Sequence, residues 1–515
     1  MTKAKTGERV VVIGGGLAGI SAAVELAEAG LPVTLLEARP WLGGATCSFA
    51  RRGLTIDNGQ HAFLRSFTAY RDLLTRLSVS ECCALQDRLD LTVLAPGAQA
   101  RISRTGWPAP LHLARSLRRY RMLSAAERAK VAAAGLALRV SDLSGSRSRE
   151  INLGKWMSGH GQREHARRFF WDVLTVPMLN IGGDDADAGL AADAIRRSAL
   201  SGRDAADIGV PSVPLSRLHG EPAAELLIRS GAEVLVGVRA AAVKARRRPG
   251  RYQVRLAGTA PVMDVASADR PDVIDAAGVV LAVPPWEAAN LATAGFGEGA
   301  RRWAGLLPSP MVSIHVVYGS TVTALPFAAA VGSPIRWVMD KTESAGLHAG
   351  QYLAASVPAA APYVDKPAAQ LQDELLPALE ELLPAAADAD VEDFFVTRER
   401  RATIAQLAGS LRFRPRAGTG PAGLAVAGAW TDTGWPDSME GAVRSGQAAA
   451  RKLLAELAAT TPVPHQDELP GIAECGEPDE ADSAVAAGAR LAARNIRSIG
   501  DQQVDPAAQA PAARR

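Results

Sequence analysis

The chain has 515 residues, enough for a large core and two or three domains, and 48% of them are hydrophobic, the ordinary share for a globular protein. Formal net charge is +3, too small to mark a nucleic-acid binder. The four cysteines, Cys47, Cys82, Cys83 and Cys475, fit neither a metal-ligand spacing nor a disulfide framework and suit a reducing cytoplasm.

The amino-terminal segment carries the most information. Val10 to Ile13 is a short, β-branched run suited to a buried parallel strand. Gly14, Gly16 and Gly19 follow at G-x-G-x-x-G spacing. The first glycine permits a tight turn, the second lets a pyrophosphate approach the backbone, and the third lets helix and strand pack closely. A helix from about Leu17 to Ala29 should stop at Gly30, and its amino-terminal N–H groups would face phosphate. Val33 to Leu36 reads as the next strand, and Glu37 stands where a carboxylate holds ribose hydroxyls. The segment predicts an adenine-dinucleotide site. Gly418, Gly420 and Gly423 repeat the spacing but enclose Pro421 and precede a strand. Gly295, Gly297 and Ala300 match a relaxed form but follow a helical segment. Both read as loops, so the chain is expected to hold one dinucleotide and no second such unit for NADPH.

Further along, Leu111 to Val140 is helical and basic, with Arg115, Arg118, Arg119, Arg121, Arg128, Lys130 and Arg139 against the single acid Glu127. It fits either a solvated face with a core-facing stripe or an amphipathic surface resting on anionic lipid. His160 and His165 lack partner ligands, and no metal site is expected. A helix over Pro222 to Arg229 leads to a strand ending at Val236, and Val243 with Tyr252 to Leu256 suggests a hairpin tipped by Arg246 to Gly250. Val279 to Val283 is another buried strand, and Ala304 to Met339 reads as a second sheet. The uncharged stretch Ala304 to Ile335 is broken by prolines and glycines and is no transmembrane helix. A helix over Ala368 to Leu383 contains Pro377, Val391 to Arg401 is a charged strand, Leu424 to Gly428 a last buried strand, and Met439 to Leu457 a last helix. Beyond Thr461 the Ala, Pro, Asp and Arg content predicts a mostly disordered tail, with a helix near Asp479 to Ile496.

Three segments carry a resemblance: Gly43-Gly44 after the second strand, DNGQH at Asp57 to His61, and the run from Gly428 to Gly446 with its TGWPDSMEGAVRSG core. The chain resembles the flavin amine oxidase and carotenoid desaturase superfamily from about Glu8 to Leu457. The DNGQH segment, RERRA at Arg398 to Ala402 and the carboxy-side run make it most similar to the squalene-associated, hydroxysqualene dehydroxylase branch. The resemblance implies an α/β fold in which a Rossmann-like FAD-binding domain (1–85, 211–285 and 396–460) interleaves with a mixed α+β substrate domain (86–210 and 286–395), leaving 461–515 as a tail.

It also implies non-covalent FAD. Gly14, Gly16 and Gly19 with Leu17 and Ala18 would face the pyrophosphate, Glu37 and Ala38 the adenosine ribose, and Gly43, Gly44 and Ala45 the pyrophosphate and ribityl chain. Asn58, Gly59 and Gln60 would lie near the cofactor, and the backbone at Ala240 beside the adenine. Gly428, Ala429, Met439, Glu440, Gly441 and Ala442 would approach the flavin end, with Ser438 also readable as a plain helix cap. Two positions depart from the family pattern: Ala45 replaces the usual Arg and Ala429 the usual acid, with Arg39 and Asp432 as neighbours able to compensate.

The implied reaction is loss of the hydroxyl from hydroxysqualene with hydride delivery from reduced flavin, in squalene and hopanoid biosynthesis. His61 and Asp57 are the candidate acids. Trp156, Phe169, Phe170, Trp171, Val312, Ile314, Val316, Phe327 and Trp337 are candidate walls for a C30 isoprenoid, with plain core the first reading of each. The partners expected are that substrate, an external electron donor that the sequence does not identify, and a peripheral contact with the inner face of the membrane. Carotenoid desaturation, amine oxidation and non-catalytic prenyl-lipid carriage remain open on the same scaffold.

Overall fold

The protein is described from a computed structural model over residues 9–141, 143, 151–247, 250–257, 272–292, 296 and 298–460. Gly295, Gly297, Arg248, Cys475 and the expected 479–496 helix lie outside these residues.

Five short strands form one parallel sheet, in the order Glu233–Val236, Val33–Glu37, Val10–Ile13, Gly278–Leu281, Leu424–Val426. Their near-continuous apolar character follows from being covered on both faces. On one face, Val10, Val12, Val33 and Leu35 pack against the helices Leu17–Glu28 and Met439–Thr460. On the other, Val11, Ile13 and Leu36 meet an antiparallel sheet of Ala240–Ala245, Tyr252–Leu256 and Val273–Ala276, with Trp303 and Trp430. The sheet thus draws strands from three distant stretches of chain.

A second, seven-stranded sheet has the order Val391–Ile404, Pro308–Tyr318, Gln351–Val357, Trp337–Asp340, Phe327–Ala330, Asp90–Ala95, Ala98–Ser103. Only the Phe327–Ala330 and Asp90–Ala95 pair is parallel. Val391–Ile404 runs unbroken through the position expected to divide two domains at 395/396. The helix Ala368–Leu382 contains Pro377 and covers one face of this sheet. That covering selects between the two readings of Val312, Ile314 and Val316. Side chains alternate along a strand, so Val312, Ile314 and Val316 all face this helix and are fully buried with Leu371, Leu375 and Leu379. They are core. Ser313, His315 and Val317 occupy the opposite face.

The basic region is not one helix. Ala114–Arg119 ends at Tyr120, and Ser124 opens a new helix, Ala125–Val140, through a capping box with Glu127. Among the described residues no helix is long and apolar enough to cross a membrane.

The two helices on the parallel sheet cross at glycine. A Cβ on Gly446 would stand 2.1 Å from the Ala18 carbonyl oxygen and 2.9 Å from Ser21 Cβ, while Ser21 Oγ donates to the Val443 carbonyl at 3.1 Å. Gly446→Ala must therefore separate the helices, and a cost of about 1–3 kcal/mol is expected, as for overpacked cores. Gly135→Ala, in a helix interior with nothing within 4 Å of the added carbon, should gain about 0.5–1 kcal/mol. Urea midpoints of the two variants check this contrast; equal shifts would remove the steric argument.

Candidate functional site

The glycine turn and the glycine pair lie side by side. Gly14 (φ +107°) donates its N–H to Leu36 O at 2.7 Å and turns the chain into the helix. Gly16 caps that helix with no side-chain bond to its free N–H groups, which leaves them for an anion. Gly43 N donates to Gly15 O at 2.8 Å, and a Cβ on Gly44 would meet Gly16 Cα at 2.8 Å. The result is a strip of bare backbone at the end of the parallel sheet, where ligands of open α/β sheets bind. Glu37 ends its strand buried, accepting from Gly15 N and Arg39 N, each at 2.7 Å. A carboxylate retains lone pairs beyond two such bonds.

Placement of the remaining expected residues is mixed. Leu17 and Ala18 sit in the first helical turn, and Ala38 is exposed beside Glu37. Ala45 is exposed, and its backbone bonds to the His61 ring. Arg39 reaches the glycine pair, Nη1 donating to Gly44 O at 3.1 Å, so a cation stands there although Ala45 carries none. Asp432 turns into its own loop and accepts from Gly434 N at 3.1 Å. Ala240 opens the antiparallel sheet. Val236 pairs with Glu37 across the parallel sheet, and Val238 N donates to Glu37 O at 2.9 Å. Gly428 (φ +148°) would press a Cβ to 2.3 Å from Trp430 Nε1, and Ala429 follows it. Met439 and Ala442 are buried in the first turn of the last helix. Ser438 Oγ accepts from Gly441 N at 3.3 Å, a cap as the sequence allowed. The Glu440 carboxylate points away from this strip: it accepts from Ala69 N and Tyr70 N at the start of the helix Thr68–Arg76 and pairs with Arg444. Only its backbone remains available to a cofactor.

The DNGQH loop follows the hairpin Ser48–Arg51 and Leu54–Asp57. Three donors converge on Asp57: Ser48 Oγ at 2.7 Å and Leu215 N at 2.9 Å on Oδ1, and Lys341 Nζ at 3.0 Å on Oδ2. Both members of the ion pair are buried, at 3% and 8% side-chain exposure. Such an acceptor is a holding group, in place of the proton donor the sequence suggested. Asn58 is fastened too, Oδ1 accepting from Cys47 N and Nδ2 donating to Glu399. Its carbonyl accepts from Thr397 Oγ1, which bonds His315; His315 in turn bonds Tyr352. Burial, with Arg51 adding, lowers His315 to about 3, so it stays neutral. Gly59 would place a Cβ 3.8 Å from His61 Nε2. Gln60 Nε2 is a buried donor with no protein acceptor, an orphan of the kind a polar ligand satisfies. Burial also pulls the His61 imidazole below its ordinary value, opposed by Asp57 and the Ala45 backbone, with Lys341 adding to the lowering.

Sequence reasoning missed Lys341, Thr397, His315 and Arg414. Arg414 is the most consequential. Its guanidinium, almost wholly buried, donates to Ala429 O (3.2 Å), Trp430 O (3.0 Å), Thr431 O (2.6 Å) and Trp435 O (3.0 Å). It shapes the loop joining the last strand to the last helix. A buried cation beside the loop's Asp432 and Asp437 was the available signal, but only the fold brings it to these carbonyls.

The bare strip, the uncapped helix start, Glu37 and the orphaned Gln60 donor fit FAD. Where FAD binds, Gly14, Gly16, Gly19, Gly43, Gly44 and Glu37 would hold its nucleotide part and Met439 to Ala442 would face the flavin, which supplies hydride chemistry. Trp156, Trp171 and Phe327 are buried in one apolar cluster, with Phe169, Phe170 and Trp337 partly buried on it. Among the described residues no cluster of His, Cys, Asp or Glu could hold a metal. His160 stacks on Trp156 at 3.8 Å and His165 bonds Glu127 at 3.0 Å.

Lys341→Met leaves Asp57 charged and unpaired in the interior. The expected loss is about 3–5 kcal/mol, read as a lower urea midpoint. Arg414→Lys cannot reproduce the planar fork that spans four carbonyls; a drop of about 2–4 kcal/mol and loss of flavin absorbance from the purified protein should accompany it. Full flavin occupancy in this variant would contradict the loop-shaping role.

The comparisons with known proteins agree with this geometry. The family model for flavin containing amine oxidoreductase matches residues 17–454. Hydroxysqualene dehydroxylase of Rhodopseudomonas palustris is 29% identical over 462 residues, covering 87% of this chain and 98% of that protein. The Sinorhizobium fredii enzyme of that name is 27% identical, with 87% and 99% covered. Zeta-carotene desaturase of Zea mays is 29% identical over 197 residues, 35% of this chain and 34% of that protein. Cyclohexylamine oxidase from Brevibacterium oxydans superposes with a TM-score of 0.61 at 17% identity, covering 88% of this chain and 99% of that one, which speaks to fold alone. With a match that spans most of its length, and with the parallel sheet and glycine crossover to support it, this chain belongs to the flavin-containing amine oxidoreductase family, which implies FAD as its cofactor.

Proposed function

We propose that this protein reduces hydroxysqualene to squalene with a hydride from bound reduced flavin. The observation that carries the reading is the end-to-end correspondence with hydroxysqualene dehydroxylases, 97–99% of whose length is matched in three species. The buried polar cluster around His61 supports it, because an alcohol substrate needs a proton where a pure hydrocarbon does not.

The hydroxyl of the substrate is allylic. Protonation of its oxygen lets the C–O bond break with its electron pair leaving on water, and the allylic cation that remains accepts the hydride. Bound reduced flavin would supply that hydride, its electrons coming from a separate two-electron donor. His61 delivers the proton. Asp57, pinned by three donors, fixes the loop and favours the imidazolium, and the Ala45 backbone holds the ring. Ala62, Leu64, Phe170, Leu174, Met178 and Trp337 pack on the apolar core next to His61 yet stay partly exposed. They would take the hydrocarbon chain. So lipophilic a substrate places the reaction at the inner face of the membrane. A zeta-carotene desaturase from Synechocystis also matches at full length, at 23% identity, which favours carotenoid desaturation as the second reading.

Incubation with hydroxysqualene and a flavin reductant should yield squalene, and phytoene should be left unchanged; the reverse would sink the proposal. Because burial holds His61 below 6.5, the protonated acid grows as pH falls. The value of kcat/KM should therefore rise as pH falls toward the lowered pKa and level off beneath it. His61→Gln should abolish that limb and cut turnover about 10²–10⁴-fold with flavin content kept. An unchanged profile would remove His61 from the account.

A further inference from the structure

Six large apolar side chains are exposed among the described residues, and four of them fall between positions 107 and 140: Trp107, Leu111, Leu136 and Val140. They are not marginal cases, with Trp107 61% and Val140 83% exposed. The fold brings them together. Leu136 and Val140 are four apart on the outward face of the helix Ala125–Val140, whose Val131, Ala134 and Leu138 point inward. Arg139, on that outward face, donates to Ala109 O at 3.2 Å and ties the helix end to the Trp107–Leu111 turn.

The same surface is cationic. Arg115, Arg118, Arg119 and Arg121 are exposed, and none has a carboxylate partner among the described residues. The one acid of the stretch, Glu127, lies at the far end of the helix, about 13 Å from Leu136 at 1.5 Å per residue. It is engaged by Ser124 and His165. Exposed tryptophan and aliphatic residues fringed by arginine match a bilayer interface, where the apolar groups enter the acyl boundary and guanidiniums meet anionic headgroups. The inner faces of these elements matter as well. Leu113, Leu117, Met122 and Ala137 pack on the apolar core that also receives Ala62 and Leu64, the neighbours of His61.

We infer that the Trp107–Val140 surface docks on an anionic lipid bilayer and presents this core to it. The inference deepens the proposed function and rests on it only for what the surface delivers, a hydrocarbon. A protein partner would be expected to offer acidic side chains at fixed positions, whereas a bilayer matches unpaired arginines and scattered apolar tips without any register.

The test is sedimentation with vesicles of phosphatidylcholine alone or with 30% phosphatidylglycerol added (about a third anionic, the fraction at which surface potential is substantial). The wild type should bind the anionic vesicles, weaken as salt rises, and bind neutral vesicles poorly. Replacing Arg115, Arg118 and Arg119 together by Gln should weaken binding about a hundredfold, at roughly fivefold per cation. Trp107→Ser with Leu111→Ser should also release the protein, while unchanged thermal midpoints and flavin spectra show that the fold is intact. Turnover of detergent-dispersed hydroxysqualene should be unaffected in both variants, and turnover of vesicle-embedded substrate lost. No binding by the wild type at low salt, or equal binding by the variants, overturns the inference. Self-association that both variants abolish with vesicle binding unchanged overturns it too, by assigning the face to a second copy. Binding that follows these rules in a protein inert toward hydroxysqualene would instead retain the surface and discard the proposed substrate.

Discussion

Everything at the nucleotide end depends on backbone meeting backbone without intervening side chains. A Cβ on Gly19 would stand 1.8 Å from Gly14 O, one on Gly44 2.8 Å from Gly16 Cα, and one on Gly446 2.1 Å from Ala18 O. These approaches let the first and last helices of the core press together over the parallel sheet. They bring the starts of both helices to the same edge, and a helix start carries free N–H groups and partial positive charge. The gathering of free N–H groups at that edge is therefore a consequence of packing, and side chains on these glycines would force the backbones apart.

The second constraint is electrostatic. The DNGQH loop runs on from the Ser48–Asp57 hairpin, and it is fastened to the seven-stranded sheet by a buried ion pair and a chain of hydrogen bonds. Lys341 on Asp57 and Thr397 with His315 under Asn58 leave the loop little freedom. A buried pair contributes little net stability compared with an apolar replacement. Its value here is positional: it sets where Gln60 and His61 stand relative to the glycine strip. Arg414 does the same for the carboxy-side loop, using one guanidinium to satisfy four carbonyls that no strand or helix could pair.

The scaffold is shared with amine oxidases whose sequences are under a fifth identical to this one, so it does not choose a chemistry. What differs is the lining. Here His61 stands among polar groups, the next residue Ala62 packs on an apolar core, and an exposed surface mixes tryptophan, leucine and arginine. On the proposed function, that lining would keep water from a reacting cation and take a hydrocarbon, while the glycine crossover would serve any substrate alike.

The nucleotide crossover was legible in the sequence because its signals are local: a β-branched run, three spaced glycines, a helix stop at Gly30 and an acid closing the next strand. Strand and helix positions at 222–236, 279–283, 368–383 and 439–457 followed from period and punctuation for the same reason. Facing direction did not. Val312, Ile314 and Val316 read first as core and second as tunnel, and hydrophobicity does not state which side of a sheet a helix will cover. Nor could spacing pair Asp57 with Lys341, or Arg414 with four distant carbonyls, since partners hundreds or tens of residues apart meet only once the chain has folded. The sequence by itself determined the strand, glycine turn, helix and closing acid of the crossover; tertiary structure alone decided which side chains fix the loops around it, because those contacts depend on distance in space and leave no periodic trace along the chain.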